Sequence, residues 1–436
     1  MRIDELNSIG IMETGYKSRI ADRLLARKLA GKGAVLLEGA KWCGKTTTAE
    51  QIAKSILYMS ESGKIEQNRQ LAKINPSLLL RGDKPRLIDE WQVAPTLWDS
   101  VRFEADHNAG LGLFILTGSS VPPDMSEVIH SGTGRIGWLK MRPMSLWESG
   151  DSTGEVSLGD LFTSPESISG ITSMNLERIA FLTCRGGWPL SVKMDDEIAL
   201  DQAFDYIEAV EKRDISMADG VTRDAVRTHR ILRSYARHQG AQASYGTIKA
   251  DLSSNESDNF DEDTIASYIS ALKKIFVIED SEAWNPNLRS KSAIRTSDTR
   301  YFTDPSIATA ALGLGPADLM NDLNTFGLIF ETLCVRDLRV FAEALNGKVY
   351  HYRDKTGLEC DAVVHLRNGC YGLVEIKIGG DDLISDGVRT LKALEAKIDT
   401  ERMKKPSFLM VLTGVGPYAY KREDGVYVVP IGCLKD

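Results

Sequence analysis

The chain has 436 residues, of which 42% are hydrophobic and 26% are charged, a composition typical of folded globular proteins. This length exceeds one compact core and predicts two to four domains. The net charge of -8 argues against a protein that coats nucleic acid indiscriminately, although a local basic patch is compatible with it. The sequence has neither a membrane-length apolar run nor a signal-like N-terminus, so we expect a cytoplasmic protein without membrane association.

Six cysteines are scattered along the chain, and no two of them form a Cys-x-x-Cys pair. Zinc sites and disulfide frameworks use closely spaced or regularly patterned cysteines, so we predict buried free thiols instead. The six are Cys43, Cys184, Cys334, Cys360, Cys370 and Cys433.

Residues 34–48 carry a phosphate-binding signature. A short apolar run, Ala34–Glu38, leads into a loop that fits G-x-x-x-x-G-K-[ST], and helix-forming residues follow. The amides of such a loop surround phosphate oxygens, the lysine reaches the β- and γ-phosphates, and the threonine ligates Mg²⁺. We predict ATP and Mg²⁺ as cofactors, because the N-K-x-D motif that reads guanine does not occur. The predicted nucleotide-binding residues of the loop are Gly39, Ala40, Lys41, Trp42, Cys43, Gly44, Lys45, Thr46 and Thr47.

Two later apolar runs end in polar residues. The run PRLIDEWQ ends in Asp89 and Glu90, and we predict that Asp89 holds Mg²⁺ together with Thr46 while Glu90 polarises the attacking water. The run LGLFILTGSS ends in residues 117–120, where Ser119 is a candidate to contact the γ-phosphate or its water. A simple strand-to-loop transition is the alternative for Ser119.

Two arginines beyond these runs are candidates to neutralise charge in the transition state. Arg135 and Arg142 lie in SGTGRIGWLKMRPMSLWES and would act within the chain or across a subunit interface. An ordinary surface position is the alternative for each. The alternation of β runs with helical segments predicts a parallel sheet covered on both faces.

The segments GAKWCGKT, LIDEWQ, LTGSS and GTGRI…MRPMSLWES together resemble the bacterial and archaeal AAA-type ATPases that carry a C-terminal domain of unknown function, number 4143. The resemblance continues through CRGGWP at residues 184–189, which reads as a helix stop followed by a packed aromatic residue. It implies an α/β protein with four parts: a P-loop ATPase domain, a helical linker, a winged-helix domain and a restriction-endonuclease-like α/β domain. We place these parts at 1–165, 166–222, 223–308 and 309–436.

The residues of the third part support a winged-helix pattern. An arginine-rich helix and a short helix precede a third helix, in which Ile265, Ile269 and Leu272 recur at helical spacing and Asp263 is the predicted N-cap. Two β runs follow, around a loop that carries Arg289, Lys291 and Arg295.

In DNA-binding winged helices the third helix enters the major groove and the wing meets phosphates. The third helix here lacks an arginine or asparagine at its start and follows an acidic loop. Sequence-specific DNA reading, non-specific DNA contact and a purely structural winged helix therefore all stay open.

Residues 357–377 read as a hairpin whose strands contain Asp361, Glu375 and Lys377. A two-residue turn at Asn368-Gly369 would place Asp361 and Glu375 on opposite faces. A three-residue loop with Gly369 in the left-handed conformation would oppose them directly, with Lys377 on the same face. Opposed carboxylates repel each other, and a divalent cation such as Mg²⁺ removes the repulsion.

The same residues match the D…ExK part of the PD-(D/E)XK nuclease pattern. In that pattern a helical glutamate completes the acidic cluster, which here corresponds to Glu331, while Lys377 orients or activates water. We therefore predict Glu331, Asp361 and Glu375 as metal ligands, and Asp361, Glu375 and Lys377 as catalytic residues.

Three functions are consistent with these patterns. The first is an ATPase coupled to a DNA nuclease, and the second is a regulatory ATPase whose tail binds nucleic acid or a protein without cleavage. The third is a nucleotide-binding assembly protein with negligible turnover. A homo-oligomer or a protein partner is compatible with each.

Overall fold

The computed structural model describes residues 15–107, 110–120, 130–255, 259–285 and 297–436. In these ranges the chain forms a five-stranded sheet, a seven-stranded sheet and a pair of two-residue strands. Helices lie before, between and after the strands. The α/β class predicted from the sequence is confirmed.

The N-terminal part alternates strands and helices around the five-stranded sheet, which is wholly parallel with the order β2-β3-β4-β1-β5. Its elements are α1 (Ile20–Leu29), β1 (Ala34–Glu38), α2 (Lys45–Glu50), β2 (Ser55–Tyr58), α3 (Ile65–Ile74), α4 (Pro76–Leu79), β3 (Arg86–Asp89), α5 (Leu97–His107), β4 (Phe114–Gly118) and β5 (Ile136–Lys140).

Both faces of this sheet are covered, which explains why its strands are short apolar runs. On one face, Leu37 of β1 belongs to the same hydrophobic cluster as Leu25 of α1. On the other face, Leu36 belongs to the same cluster as Val101 of α5. The predicted parallel sheet with helices on both faces is confirmed.

A helical region follows the N-terminal sheet. Three helices in its second half, and then two antiparallel bridges between Ile278 and Phe302 and between Ser281 and Thr299, follow the predicted winged-helix order. The loop with Arg289, Lys291 and Arg295 lies outside the described residues, so the wing stays a prediction. The helices are α6 (Leu146–Ser149), α7 (Leu158–Thr163), α8 (Leu176–Arg185), α9 (Asp196–Ala209), α10 (Ile215–Met217), α11 (Ala225–Arg237), α12 (Tyr245–Asn255) and α13 (Glu262–Lys274), with a π-helical turn at Val210–Asp214 before α10.

The third helix of this group begins earlier than the sequence analysis predicts. The N-cap is Asp261, whose carboxylate accepts the Thr264 backbone N–H at 2.6 Å. Asp263, the predicted cap, lies in the first turn of α13, where its negative charge interacts favourably with the positive end of the helix dipole. Asp261 and Asp263 are only two positions apart and both satisfy the same sequence signal, so the pattern alone does not separate them. The predicted core positions Ile265, Ile269 and Leu272 are buried.

The C-terminal part contains the seven-stranded mixed sheet, with the order β7-β12-β13-β11-β10-β9-β8, in which β7 is Gly170–Ile171. Helix α16 shares a hydrophobic cluster with one face, and α17 shares a second cluster with the other. The elements are α14 (Pro305–Leu312), α15 (Pro316–Asn321), α16 (Leu323–Ala344), β8 (Gly347–Arg353), β9 (Glu359–Leu366), β10 (Tyr371–Lys377), α17 (Asp381–Lys397), β11 (Phe408–Thr413), β12 (Tyr418–Lys421), β13 (Tyr427–Pro430) and β14 (Leu434–Lys435).

Two short strands from the N-terminal half complete the C-terminal sheets. The strand β6 (Val156–Ser157) pairs with β14, and β7 (Gly170–Ile171) pairs with β12. These strands lie on either side of the predicted domain boundary between residues 165 and 166 and both pair with the C-terminal part, and the boundary itself stays a prediction. A two-residue strand carries no period that a sequence could reveal.

The CRGGWP segment joins the N-terminal sheet to the C-terminal part. Gly186 ends α8 with φ +72°, and a Cβ atom at Gly187 would lie 2.1 Å from the Met144 carbonyl oxygen. The Gly187 N–H donates to Asp304 at 3.0 Å, and the buried Trp188 indole donates to Ser306 at 2.9 Å. The predicted helix stop with a packed aromatic residue is confirmed, and the glycines are explained by close backbone approach.

Candidate nucleotide site and C-terminal carboxylate cluster

The phosphate-binding loop connects β1 to α2 at the carboxyl edge of the parallel sheet. Gly39 is required there because a Cβ atom would lie 2.0 Å from the Met141 carbonyl oxygen, and Gly44 has φ +98° at the N-terminus of α2. The side chain of Lys45 is buried, and its Nζ atom donates to the Ala40 carbonyl oxygen at 2.8 Å. The strand, loop and helix predicted from residues 34–48 are all present.

Three side chains from three neighbouring elements meet beside the loop. Asp89 at the end of β3 accepts hydrogen bonds from Thr46 at 2.6 Å and from Thr117 of β4 at 2.7 Å. Asp89 is buried, and no basic side chain is paired with it in the described ranges. A hydroxyl and a carboxylate at this separation are donors that suit Mg²⁺, which keeps several waters and takes few protein ligands. The predicted pair Thr46 and Asp89 is brought together.

Glu90 lies next to this pair in a strained conformation. Its φ of 56° places a non-glycine residue in the left-handed region, a conformation that concentrates at functional sites. Its carboxylate accepts a hydrogen bond from Ser119 at 2.9 Å and another from Gln92. The predicted catalytic carboxylate and the predicted sensor Ser119 are therefore in direct contact.

A cavity of about 610 Å³ opens over the loop, a volume within the usual range for small-ligand sites. Predicted residues in its wall are Lys41, Trp42, Gly44, Lys45, Thr46, Thr47, Glu90 and Ser119. Gly39, Ala40, Cys43 and Asp89 do not line it. Lys41 forms a 2.6 Å ion pair with Asp214 of the π-helical turn, so part of its charge is already neutralised.

Several residues of this cavity come from segments that the sequence analysis did not assign to the site. The buried Arg19 donates to the Cys43 carbonyl oxygen at 2.9 Å and to Glu148 at 3.1 Å. Tyr16 contacts Thr48 through its hydroxyl at 2.8 Å, and Pro189 lines the wall directly after the CRGGW run. Pro189 is the last residue of CRGGWP, to which the sequence analysis assigned only a structural role. Arg19 and Tyr16 belong to no short motif, so only the tertiary fold reveals them.

The two predicted arginines do not reach this site within the chain. Arg135 precedes β5, and its carbonyl oxygen pairs with the N–H of Ala34, which begins β1. It therefore lies at the amino edge of the parallel sheet, opposite the phosphate-binding loop, where it pairs with Asp106. The prediction that Arg135 acts within its own chain is wrong, and action across a subunit interface stays a prediction.

Arg142 follows β5 at the correct edge but is bound elsewhere. It contacts Glu279 at 2.7 Å and Glu343 at 2.9 Å, and thus joins the N-terminal sheet to the central and C-terminal parts. Burial alone would lower the pKa of Arg142, but the two carboxylates raise it above its usual value. The prediction of a transition-state contact is wrong for Arg142 in this arrangement.

Substituting Arg135→Ala should leave ATP turnover by dilute protein within about twofold of the wild type, because exposed ion pairs contribute little. Steady-state phosphate release measured over a range of protein concentrations would check this. A loss of turnover that grows with protein concentration would instead place Arg135 at the site of a neighbouring subunit.

The C-terminal hairpin adopts the register in which its carboxylates oppose each other. Residues 371–374 pair with 365–362 in antiparallel order, and the Leu366 N–H donates to the Cys370 carbonyl oxygen at 2.8 Å. Gly369 has φ +81°, as expected for a three-residue loop with a left-handed last position. This is the three-residue loop that the sequence analysis required for Asp361, Glu375 and Lys377 to share one face of the hairpin.

Lys377 lies between the two carboxylates of this face. Its Nζ atom is 2.7 Å from Glu375 and 3.2 Å from Asp361, while the Ile376 N–H donates to Asp361 at 2.7 Å. Burial, and then the charge of Asp361, raises the pKa of Glu375 to about 8. Burial would lower the pKa of Lys377, but the two carboxylates raise it above its usual value. The charge of Asp361 therefore acts on the pKa of both neighbours, as expected for a carboxylate held close to a second carboxylate and a lysine.

Glu331 of α16 lies behind this cluster. It is buried and accepts a hydrogen bond from the Tyr301 hydroxyl, and burial followed by the charge of Asp361 raises its pKa well above the usual value. In the described part of the chain, no group of three or more His, Cys, Asp and Glu side chains is arranged to hold a metal ion. The three predicted ligands Glu331, Asp361 and Glu375 therefore do not form one site in this geometry, because Lys377 and Tyr301 take their oxygens.

Two arginines of the basic segment around α11, one before the helix and one at its end, form ion pairs. Arg223 contacts Asp219 at 2.7 Å, and Arg237 contacts Asp251 at 2.7 Å. These ion pairs give part of the local arginine content a structural role. DNA binding by this region stays a prediction. The six cysteines are free thiols, as predicted, and five of them are buried, whereas Cys370 is half-buried. No helix in the described ranges is long and apolar enough to span a membrane.

Comparison with known families and structures divides the chain into three matched segments. Residues 31–149 match the AAA domain family, residues 176–318 match a domain of unknown function (DUF8612), and residues 326–434 match a domain of unknown function (DUF4143). The DUF8612 segment spans both the predicted linker and the predicted winged-helix domain. Among curated proteins, no sequence matches this chain.

Three solved structures are similar in part. The Walker-type ATPase paby2304 of Pyrococcus abyssi is 16% identical with a TM-score of 0.42, over 69% of this chain and 99% of that one. The Aeropyrum pernix ORC2 protein in its ADPNP and ADP complexes is 14% identical with a TM-score of 0.30, over 62% and 89%. The Aeropyrum pernix ORC1 protein in complex with DNA is 14% identical with a TM-score of 0.24, over 69% and 93%. Likenesses this distant carry no argument about function.

Proposed function

The chain combines an AAA-type P-loop ATPase domain with a C-terminal domain of the family DUF4143, and we propose that it binds and hydrolyses ATP with Mg²⁺. Lys45 and the loop amides hold the phosphates, and Thr46 and Asp89 hold the metal ion, whose charge offsets that of the phosphates. Glu90 takes the proton of the attacking water. The ATPase domain is the motor or switch of the protein, and the C-terminal part is its effector.

The contact set around Asp89 carries this proposal. Thr46 and Thr117 both donate to one Asp89 oxygen, and Glu90 is held by Ser119 at the adjacent position. These residues come from α2, β3 and β4, which the parallel order places side by side. A chance glycine-rich turn would not gather a hydroxyl, a carboxylate and a second carboxylate at one sheet edge.

Substituting Lys45→Ala should weaken ATP binding by about 10- to 100-fold, because one charge-assisted phosphate contact is lost. Titration with a fluorescent ATP analogue in the presence of Mg²⁺ would measure this. The matched control is Lys64→Ala, which removes an exposed lysine that forms a 2.7 Å ion pair with Glu61. Equal affinity of the Lys45→Ala variant and the wild type would refute the proposed site.

The effector function that we propose is binding of nucleic acid by the C-terminal part, with Mg²⁺-dependent strand cleavage as its strongest form. Asp361 and Glu375 face each other, and one oxygen of the buried Glu375 has no hydrogen-bond partner in the described ranges. Two carboxylates and water form an ordinary Mg²⁺ shell, so these two residues keep a suitable donor set without Glu331. The three consecutive helices α11 to α13, followed by two antiparallel bridges, are compatible with the predicted winged helix and support nucleic-acid binding.

Asp361→Asn and Lys377→Ala should each abolish Mg²⁺-dependent cleavage of plasmid or linear DNA, if the wild type cleaves. Gel assays with Mg²⁺ or Mn²⁺, with and without ATP, would measure it, and Asp386→Asn on α17 is the control. Cleavage that persists in both variants would exclude the cluster as its source. No scission by the wild type under either metal would favour the regulatory ATPase whose tail only binds.

A further inference from the structure

A cleft of about 900 Å³ lies between α1, the bridge pair after α13, and the β8–β9 edge of the C-terminal sheet. None of its lining residues belongs to the nucleotide cavity. Its wall carries nine lysine and arginine side chains against five carboxylates, although the whole chain has a net charge of -8. The sign of the charge is therefore reversed locally, which marks the cleft as a place for an anion.

The inner wall of the cleft is neutralised by its own carboxylates. These ion pairs fix the domains against one another and leave little positive charge for a ligand. The pairs are Arg142–Glu279 at 2.7 Å, Lys140–Glu279 at 3.3 Å, Lys273–Asp280 at 2.7 Å and Lys348–Glu282 at 2.8 Å.

Four other cations of the wall, Arg27, Lys28, Lys32 and Arg367, form no ion pair in the described part of the chain. Lys32 donates to the Gly134 carbonyl oxygen, a neutral acceptor, at 3.2 Å. Burial lowers the pKa of Lys28, and the charges of the other three cations add to this effect although Glu343 opposes it. Like charges that face one cleft repel each other, and a polyanion would relieve that repulsion.

Two aromatic rings line the same cleft as these cations. Tyr350 and His365 line the cleft with ring centroids 6.4 Å apart, and the Lys348 ammonium lies 5.2 Å from the Tyr350 ring centroid. Burial lowers the pKa of His365, so its ring is neutral and able to stack near neutral pH. A basic groove with aromatic platforms is the arrangement that binds single strands, whose bases are free to stack, unlike those of a duplex.

We propose that this cleft binds a single strand of nucleic acid, with its phosphates on the four unpaired cations and its bases against Tyr350 and His365. The strand would contact α1 and Lys32 on the N-terminal side and the β9–β10 loop on the C-terminal side, so that one ligand would bridge the N-terminal and C-terminal parts. The inference is independent of ATP hydrolysis, because no residue of the nucleotide cavity takes part.

Fluorescence anisotropy with a labelled oligo-thymidine of about 20 nucleotides tests the proposal over a range of salt concentrations. The double variant Arg27→Ala/Lys28→Ala should bind about tenfold more weakly, and its slope of log affinity against log salt should fall by about 1.4, for two lost phosphate contacts on a single strand. Tyr350→Ala should weaken binding at every salt concentration without changing this slope. The control Arg389→Ala/Arg402→Ala removes two exposed cations outside the cleft and should change neither quantity.

Two further arms separate this site from others. Lys45→Ala should bind the oligonucleotide as the wild type does, and Arg27→Ala/Lys28→Ala should bind ATP as the wild type does. Unchanged oligonucleotide binding by the cleft variant would overturn the proposal. Displacement of the strand by tripolyphosphate at equal phosphate concentration, or equal binding of a duplex of the same length, would also overturn it, because neither competitor presents free bases.

Discussion

Glu90→Gln should reduce ATP turnover by about 10²- to 10⁴-fold while ATP binding stays close to that of the wild type. The amide keeps the size of the side chain and can still contact Ser119, which lies 2.9 Å from the Glu90 carboxylate. It cannot accept the proton of the attacking water, so only the chemical step is lost. Steady-state phosphate release and equilibrium binding of an ATP analogue, measured on the same preparation, separate the two effects.

The matched control for this variant is Glu66→Gln, which makes the same chemical change at an exposed position of α3. Its turnover should equal that of the wild type. Unchanged ATP consumption by the Glu90→Gln variant would instead support the third interpretation of the sequence, a nucleotide-binding assembly protein with negligible turnover. Loss of binding together with turnover would show that Glu90 shapes the cavity and does not act in the chemical step.

The nucleotide loop was predictable because its determinants are local. A strand that ends at Glu38, glycines at two fixed positions and a helix that begins at Lys45 are all dictated within 15 residues, residues 34–48. Arg19 was not predictable, because it contacts Glu148 across 129 positions of the chain and no pattern joins the two. Contacts between residues so far apart in the chain arise from tertiary packing. A single sequence shows no regular spacing from which they could be predicted.

Arg135 shows a different cause of error, because the necessary signal was present. A residue that precedes a strand of a parallel sheet lies at the amino edge, and the phosphate-binding loop of the same sheet lies at the carboxyl edge. Arg135 directly precedes β5, so strand direction alone excludes it from its own nucleotide site. The hairpin shows the reverse case, since the prediction for Asp361 and Glu375 was conditional on Gly369 and the observed register satisfies the condition.

Asp304→Ala should destabilise the protein by about 3–5 kcal/mol, because it leaves the buried Arg336 without one of its two carboxylates. Asp304 accepts hydrogen bonds from Arg336 at 2.9 Å, from the Gly187 N–H at 3.0 Å and from Ser306 at 2.6 Å. The remaining partner, Asp337, has a pKa raised to about 6 by burial, although Arg336 opposes that rise. The loss would therefore loosen CRGGWP, α14 and α16 together. Thermal and urea unfolding would measure it.

A matched pair of controls isolates the buried ion pair from the helix cap. Asp322→Ala removes an exposed N-cap that accepts the Asn324 and Thr325 N–H groups, and it should cost only about 1 kcal/mol. Asp304→Asn keeps the cap of α14 but loses the charge, so it should fall between the two alanine variants. If Asp304→Ala costs no more than Asp322→Ala, the interior network does not hold the N-terminal and C-terminal parts together. The connection between the nucleotide site and the C-terminal part would then depend on the Arg142 ion pairs instead.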